Sequence, residues 1–490
     1  MQSFFNTART FTVRYAGLSF YWAWVFLSFN SSDLTVQGGA HEILSVVHIV
    51  SSIAAMVTFS LAVVFHRKIV EFSCERVGVA LIIASLVASA GTLFYTFPGF
   101  SGNETLSIVG AIISGLTCSA IVLAWGVVYR GLNAREAVLF TSMTFFGAAV
   151  LYFVVSCLAS GLSSVVVSLF PVCAAVLAAL SLKIPKGNTS QVLESTVSAG
   201  WVSDLSQLLS SGLSWRVLLG LAVALFVCGG TRVYFADIAP GVFLDPALMT
   251  LPLVFSALVF FVYGIFVSRT SLNLGILYRI AMPLFAFALV LIALLEGDNA
   301  GLAFFVLSTA SVLLEVLTWA LLVEVTRTTH HPPLLIFAVG RLVVHVGIVA
   351  GELVALALIG NLVLFAILAI CLLVISAGFT FADRDTTFLF ESPTPEELQR
   401  LALIESAPND DVLVSSNLMD RIDVMAQHYA FSPREKEVFT LWVTGRGSKY
   451  IQETFVISEA TVKTHVRHIY EKCGVHNRAE LMRKLEDILL

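Results

Sequence analysis

FSPREKEVFTLWVTGRGSKYIQETFVISEATVKTHVRHIYEKCGVHNRAEL runs from Phe431 to Leu481. Ser432, Pro433 and Glu435 start a helix by a capping box, in which Ser caps the free amides and Glu reaches back to the cap residue. Val438, Phe439, Leu441 and Trp442 give that helix a buried face. Thr444–Gly447 break it, and a short helix Ser448–Phe455 carries Ile451 and Phe455 inward. Ser458 then caps a third helix, Glu459 to Lys472, whose Val462, Val466, Ile469 and Tyr470 keep helical spacing. Lys463, Thr464, Arg467 and His468 therefore point outward. A helix with short polar and cationic groups near its N-terminal end, delivered by a preceding short helix, is built to enter the DNA major groove. Asn477–Leu489 supplies a fourth helix, with Leu481 and Leu485 among its packing residues.

Everything upstream has a different composition. Hydrophobic residues make up 58% of the 490 and charged residues 12%, against roughly a quarter charged in a soluble domain. This is the balance of an integral membrane protein, with room for about a dozen spans of about 20 residues. The net charge of -5 gives no global signature of nucleic-acid binding, so the basic signal is local. Seven cysteines are scattered without CxxC or metal-ligand spacing and read as small buried hydrophobes. The first apolar run lacks a small-residue cleavage pattern and reads as a retained helix.

The expected spans are Tyr15–Phe29, Ile43–Phe65, Val77–Phe97, Leu106–Val128, Val138–Leu158, Val165–Leu182, Val217–Phe235, Ala247–Val267, Leu272–Leu295, Leu302–Val323, Leu334–Leu358 and Leu362–Phe381. Lys and Arg sit in alternate connections: Arg9 and Arg14, Arg67, Lys68 and Arg76, Arg130 and Arg135, Lys183, Lys186 and Arg216, Arg269, and Arg327. The opposite connections Asn30–Glu42, Pro98–Glu104, Ala236–Pro246 and Glu296–Ala300 carry none. Retention of basic loops inside places both termini in the cytoplasm, where the C-terminal module meets DNA. The resulting fold class is all-α: a polytopic bundle of about twelve helices arranged six and six, followed by a four-helix DNA-binding domain. The divisions are residues 1–182 and 217–382 for the two membrane halves, 183–216 for the cytoplasmic connecting loop, 383–430 for an acidic linker and 431–490 for the DNA module. Within the linker, Thr394–Glu397 starts a helix Pro395–Glu405, and a second from Asn417 to Tyr429 leads into the module.

Ionisable groups inside a bilayer are costly and are functional candidates by default. Arg341, His345 and Glu352 fall within about 40° on one helix face. Arg232 lies at the depth of Glu352, Glu315 near that of His345, and His48 faces the same region from the first half. Arg232 with Glu352 and Arg341 with Glu315 are candidate pairs. Static ion pairs that fix packing, a ligand-sensing pocket and a proton relay are the alternatives. The 37 Phe residues, and Trp22, Trp24 and Trp125 with them, read as lipid-facing or core filler.

Two resemblances carry further. The six-and-six layout resembles the major facilitator superfamily in topology; the loop between the second and third helices, FHRKIVEFSCER, lacks that family's Gly-rich, Asp-Arg motif. The C-terminal segment resembles the LuxR/FixJ/NarL-type helix-turn-helix through SPRE at Ser432–Glu435, Gly445, SKYI, ISEATVKTHV at Ile457–Val466, CGV, and NRAEL at Asn477–Leu481. The resemblance implies base-edge contacts from Lys463, Thr464 and Arg467, and phosphate contacts from Lys449, Ser458, Thr461, His465 and His468. It departs at Tyr450, where Glu is common, and at Gln452, where a small Ala is usual. The implied partners are double-stranded DNA as an inverted repeat, the lipid bilayer, an unidentified small-molecule ligand, a second copy when DNA-bound, and RNA polymerase if the protein activates. No catalytic constellation, cofactor or metal site is expected. The expectation is a bacterial inner-membrane regulator; the alternative is a transporter with a fused regulatory domain.

Overall fold

The computed structural model describes residues 13–30, 41–132, 134–182, 200–211, 213, 215–266, 274–295, 300–329, 331–381, 422–443, 451–452, 455, 459–475, 480–481 and 484–485. The chain divides into two compact units, residues 1–392 and 393–490.

The first unit holds α1 (Val13–Phe29), α2 (His41–Val70), α3 (Cys74–Thr96), α4 (Glu104–Tyr129), α5 (Ala134–Ser156) and α6 (Ser160–Leu182). After α7 (Trp201–Ser211) come α8 (Trp215–Ile238), the single turn α9 (Pro240–Phe243), α10 (Pro246–Phe266), α11 (Leu274–Leu294), α12 (Ala300–Thr328), α13 (Pro333–Ala357) and α14 (Leu362–Phe381). A long helix forms at each of the twelve expected spans. Nine of them, all but α1, α11 and α14, are long and apolar enough to cross a membrane as judged from the described residues. Their starts follow local chemistry. Asn103 accepts a hydrogen bond from the Leu106 amide at 3.1 Å, Ser73 does the same for Arg76 at 3.4 Å, and Pro333 opens α13.

The two sets of six repeat one packing scheme. In each, the first helix packs on the fifth and sixth, the third on the fourth and sixth, and the second on the fourth. Across the junction α2 packs on α13 and α5 on α10, so the second helix of each set meets the fifth of the other. This arrangement brings α1, α2, α8, α12 and α13 to one central region.

Missing Cβ atoms allow the closest approach there. A Cβ on Gly351 would lie 1.9 Å from the Phe226 carbonyl oxygen, and one on Gly347 2.5 Å from that of Ala222. Four positions apart in α13, with three residues between them, these glycines let the backbones of α8 and α13 touch, as small residues do between membrane helices. That contact sets the depth at which Arg232 meets Glu352.

Two expectations need correction. The connection after Lys183, read as a loop, contains α7. Leu208 of α7 is fully buried in the first unit's core, with Leu205 and Leu209 against it. Arg67, read as a free loop cation, is still inside α2 and grips Asp204 of α7 through both carboxylate oxygens, Nε at 2.7 Å and Nη2 at 2.6 Å.

The second unit contains a short helical stretch at 422–428, α15 (Pro433–Val443) and α16 (Glu459–Cys473) around a core of Ile422, Met425, Val438, Phe439, Val462, Ile469, Leu481 and Leu485. It is all-helical among the described residues. The predicted helix Pro395–Glu405 lies outside the described residues, as does most of the acidic linker.

Candidate functional site

Two groups of charged residues of the membrane unit meet at α13. Glu352 is fully buried, and its Oε1 accepts from Arg232 Nη1 at 3.1 Å and from His48 Nδ1 at 2.7 Å. Arg232 also donates from Nη2 to the Phe29 carbonyl at the end of α1, at 2.9 Å, and its guanidinium lies 5.4 Å from the Phe243 ring. One carboxylate thus ties α2 to α8 and α13, and Arg232 extends the tie to α1. Three of those helices are not neighbours in sequence, so the group reports their relative position.

Arg341 pairs with Glu315 of α12, whose Oε1 also accepts from Trp319 Nε1 at 3.0 Å. The Arg341 guanidinium lies 5.5 Å from the Trp22 ring of α1 and 5.0 Å from the Trp319 ring, within cation-π range. His345 donates from Nδ1 to the Arg341 carbonyl at 2.9 Å, and its ring stands 5.1 Å from Phe59. Trp22 was expected to be filler; instead it presents its face to a buried cation from the other half. Its sequence carries no signal of this, because the partner is more than 300 residues away. Trp319, missed as well, had one: it sits one helical turn after Glu315.

The six sequence-derived residues Arg232, Glu315, Arg341, His345, Glu352 and His48 are therefore brought together around one junction. Glu352 Oε2, Arg232 Nε, Arg341 Nε and Trp22 Nε1 are buried there without a hydrogen-bond partner. Unpaired buried polar atoms cost roughly 1–3 kcal/mol each, and these four fall two to each group, Glu352 with Arg232 and Arg341 with Trp22. His48, Arg232 and Glu315 retain 15%, 12% and 13% side-chain exposure. Among the described residues no group of three His, Cys, Asp or Glu could hold a metal ion.

In the second unit, the capping box forms at both ends: Ser432 donates its amide to Glu435 Oε2 at 2.7 Å, and the Glu435 amide donates to Ser432 Oγ at 3.2 Å. Glu435 also takes Lys472 of α16 at 2.6 Å, and Lys472 donates on to the Ala430 carbonyl at 3.0 Å. Burial pushes the Glu435 carboxyl up, but Lys472 and the Ser432 amide and hydroxyl outweigh it and hold it below its ordinary value. Trp442 Nε1 donates to Tyr470 Oη at 3.0 Å, a second tie between α15 and α16. α16 is thus tied to α15 at its middle and its end.

On α16 Thr461, Lys463, Thr464 and Arg467 are exposed, Arg467 at 67% with Glu471 3.6 Å away. His465 is half-buried, and its Nδ1 is buried without a partner. His468 lies 3.9 Å from Glu435 and remains 45% exposed. Lys449 and Ser458 lie outside the described residues.

Because its folded carboxyl sits below the unfolded value, Glu435 contributes stability that is present above the unfolded pKa and lost as pH falls through the folded one. Glu435→Gln is expected to lower the stability of the second unit by about 1–2 kcal/mol near neutral pH and to flatten its loss of stability in acid. Urea unfolding of the 393–490 fragment, which has its own core, measures both; an unchanged acid limb excludes Glu435 as its source.

A helix-turn-helix unit and a major-facilitator-like helical bundle thus share one chain. The profile of the bacterial regulatory proteins, luxR family, matches residues 429–485, so this segment is a luxR-type DNA-binding module. The chain is 40% identical over 52 residues to the transcriptional regulatory protein MctR of Rhizobium johnstonii, covering 11% of this chain and 24% of that protein. It is 32% identical over 97 residues to the probable transcriptional regulatory protein NarL of Mycobacterium tuberculosis, covering 19% of this chain and 44% of that one. The chain therefore spans less than half the length of either relative. Over 75% of this chain and 96% of the other, the structure is similar to a bacterial homologue of the iron transporter ferroportin in an outward-facing state, at a TM-score of 0.51 and 12% identity, which is a likeness of fold. The major facilitator superfamily proton:xylose symporter XylE aligns over 75% of this chain and 94% of its own, at a TM-score of 0.46 and 13% identity.

Proposed function

We propose that this protein is a membrane-anchored bacterial transcriptional regulator that senses a small molecule at the junction of its two six-helix halves and acts through its luxR-type module. The observation that carries the reading is the union of that module with a buried junction holding four unpaired polar atoms. Three of those atoms are donors and one is an acceptor, so a fitting ligand both accepts and donates hydrogen bonds. A ligand shifts the halves only by binding one arrangement better than another. The membrane halves are residues 1–182 and 217–382, the connecting segment is 183–216, and residues 383–430 tether the DNA module 431–490. The module reads an inverted repeat as a homodimer, because one recognition helix covers only a few base pairs. Lys463, Thr464 and Arg467 read bases, and Lys449, Ser458, Thr461, His465 and His468 lie at phosphates. If it activates, it contacts RNA polymerase.

Expression profiling of a deletion strain, beginning with neighbouring genes, tests the regulatory reading; an unchanged transcript profile under every growth condition defeats it. Substrate counterflow in vesicles separates it from a transporter with a fused regulator, a reading favoured by the fold likeness. The basic connections predict that a phosphatase reporter is silent after Leu182 or Asp383 and active within Pro98–Glu104. The inverse pattern would put the DNA module on the wrong side of the inner membrane.

A further inference from the structure

Where α7 docks on α2, the hydrogen bonds can be counted against the available protons. Asp204 of α7 is gripped by Arg67 at 2.7 and 2.6 Å, and the Arg67 hydrogen bond foremost, with His66 adding to it, holds its carboxyl below the ordinary value against burial, which pushes it up. Asp204 is therefore an acceptor only. His66 is fully buried, and its Nε2 lies 3.1 Å from Asp204 Oδ2 while its Nδ1 lies 2.8 Å from the Val63 carbonyl oxygen. Neither partner has a hydrogen to give. A neutral imidazole carries one N–H, so it makes one of these bonds and turns a lone pair toward an oxygen at the other. Both are made together only by the doubly protonated ring.

We propose that this junction is a proton-operated clasp: His66 fastens α7 to the first half while it holds a second proton, and releasing that proton to water loosens α7. The groups facing His66 are Asp204, which attracts a charged ring, and its neighbour Arg67, which repels one. Lys68 turns away, its Nζ 5.7 Å from the Phe65 ring. Of the other helices packed on α2, α13 and α8 bring Glu352 and Arg232 to its His48, eighteen residues before His66. Arg67 keeps its bidentate hold in either state, so deprotonation weakens docking without abolishing it. Because α7 lies on the connection between the halves, proton activity on that side biases their relative arrangement.

Hydrogen exchange of the α7 amides in the intact, detergent-purified protein reads the clasp directly. After correction for the intrinsic pH dependence of exchange, protection over Trp201–Ser211 should fall about tenfold between about pH 5.5 and pH 8.5, with α13 amides as an unchanging reference. His66→Gln should lie at the low-protection level throughout with no pH slope, while eluting as the wild-type species. If that variant fails to fold, Asp204→Asn, which replaces the carboxylate by an amide able to pair with either protonation state of the ring, should flatten the slope equally. Constant protection in the wild type, or a slope that survives in a folded variant, overturns the proposal.

Discussion

Glu352→Gln is expected to destabilise the membrane unit by about 3–5 kcal/mol, the usual cost of removing one partner from a buried ion pair. The carboxylate is fully buried and answers Arg232 and His48 at once, so the neutral amide leaves a guanidinium in an apolar interior. The double variant Arg232→Met with Glu352→Gln removes both charges and should recover most of the folded abundance, measured as monodisperse protein extracted from membranes. If the site senses a ligand, that folded double variant should also give transcriptional output fixed either on or off. Inducible output from it would reduce the group to a packing device and move the search to Arg341, Glu315 and Trp22. Failure of the double variant to recover would mean that its hydrogen bonds to the α1 carbonyl, rather than its charges, hold the junction.

The pairing itself was legible in the sequence because three ionisable residues at helical spacing in α13 define one face, and depth counted from the basic loops matches Arg232 to Glu352. Span positions were legible because apolar runs and caps are local signals. What stayed hidden was set at long range. Trp22 meets Arg341 only because α1 and α13 meet in the fold. α7 is short and Ser-rich, and its apolar Leu205, Leu208 and Leu209 looked like loop residues beside runs twice as long. The signal that could have found it is Asp204, an acid placed for the first turn of a helix. In the second unit the capping box was readable from Ser432 and Glu435 alone, but not the pull of Glu435 on His468, which depends on how α15 crosses α16.

Arg467→Ala with Lys463→Ala is the second large effect, with each substitution expected to weaken specific DNA binding by about 1–3 kcal/mol and to relax preference at its own base position. Both side chains are on the exposed face of α16, whose inner face is pinned by Val462 and Ile469 and whose end is tied to α15 through Lys472 and Glu435. The helix is thus held as a rigid body, and losses at the tips should not spread into unfolding. Arg467 is shared with Glu471 at 3.6 Å; that exposed pair is weak, so the guanidinium is released to a base at little cost. Glu471→Ala should accordingly leave specificity intact and strengthen binding slightly, by removing a negative charge near phosphate. Lys449→Ala should weaken binding to all sequences alike with a shallower salt dependence, because it answers phosphate rather than bases. Selection of binding sites by the 393–490 fragment from random duplexes, followed by titration of each variant at several salt concentrations, measures all four. Uniform loss across sequences from Arg467→Ala and Lys463→Ala would assign both to the DNA backbone, and base reading would then have to come from Thr464 and residues nearer the start of α16.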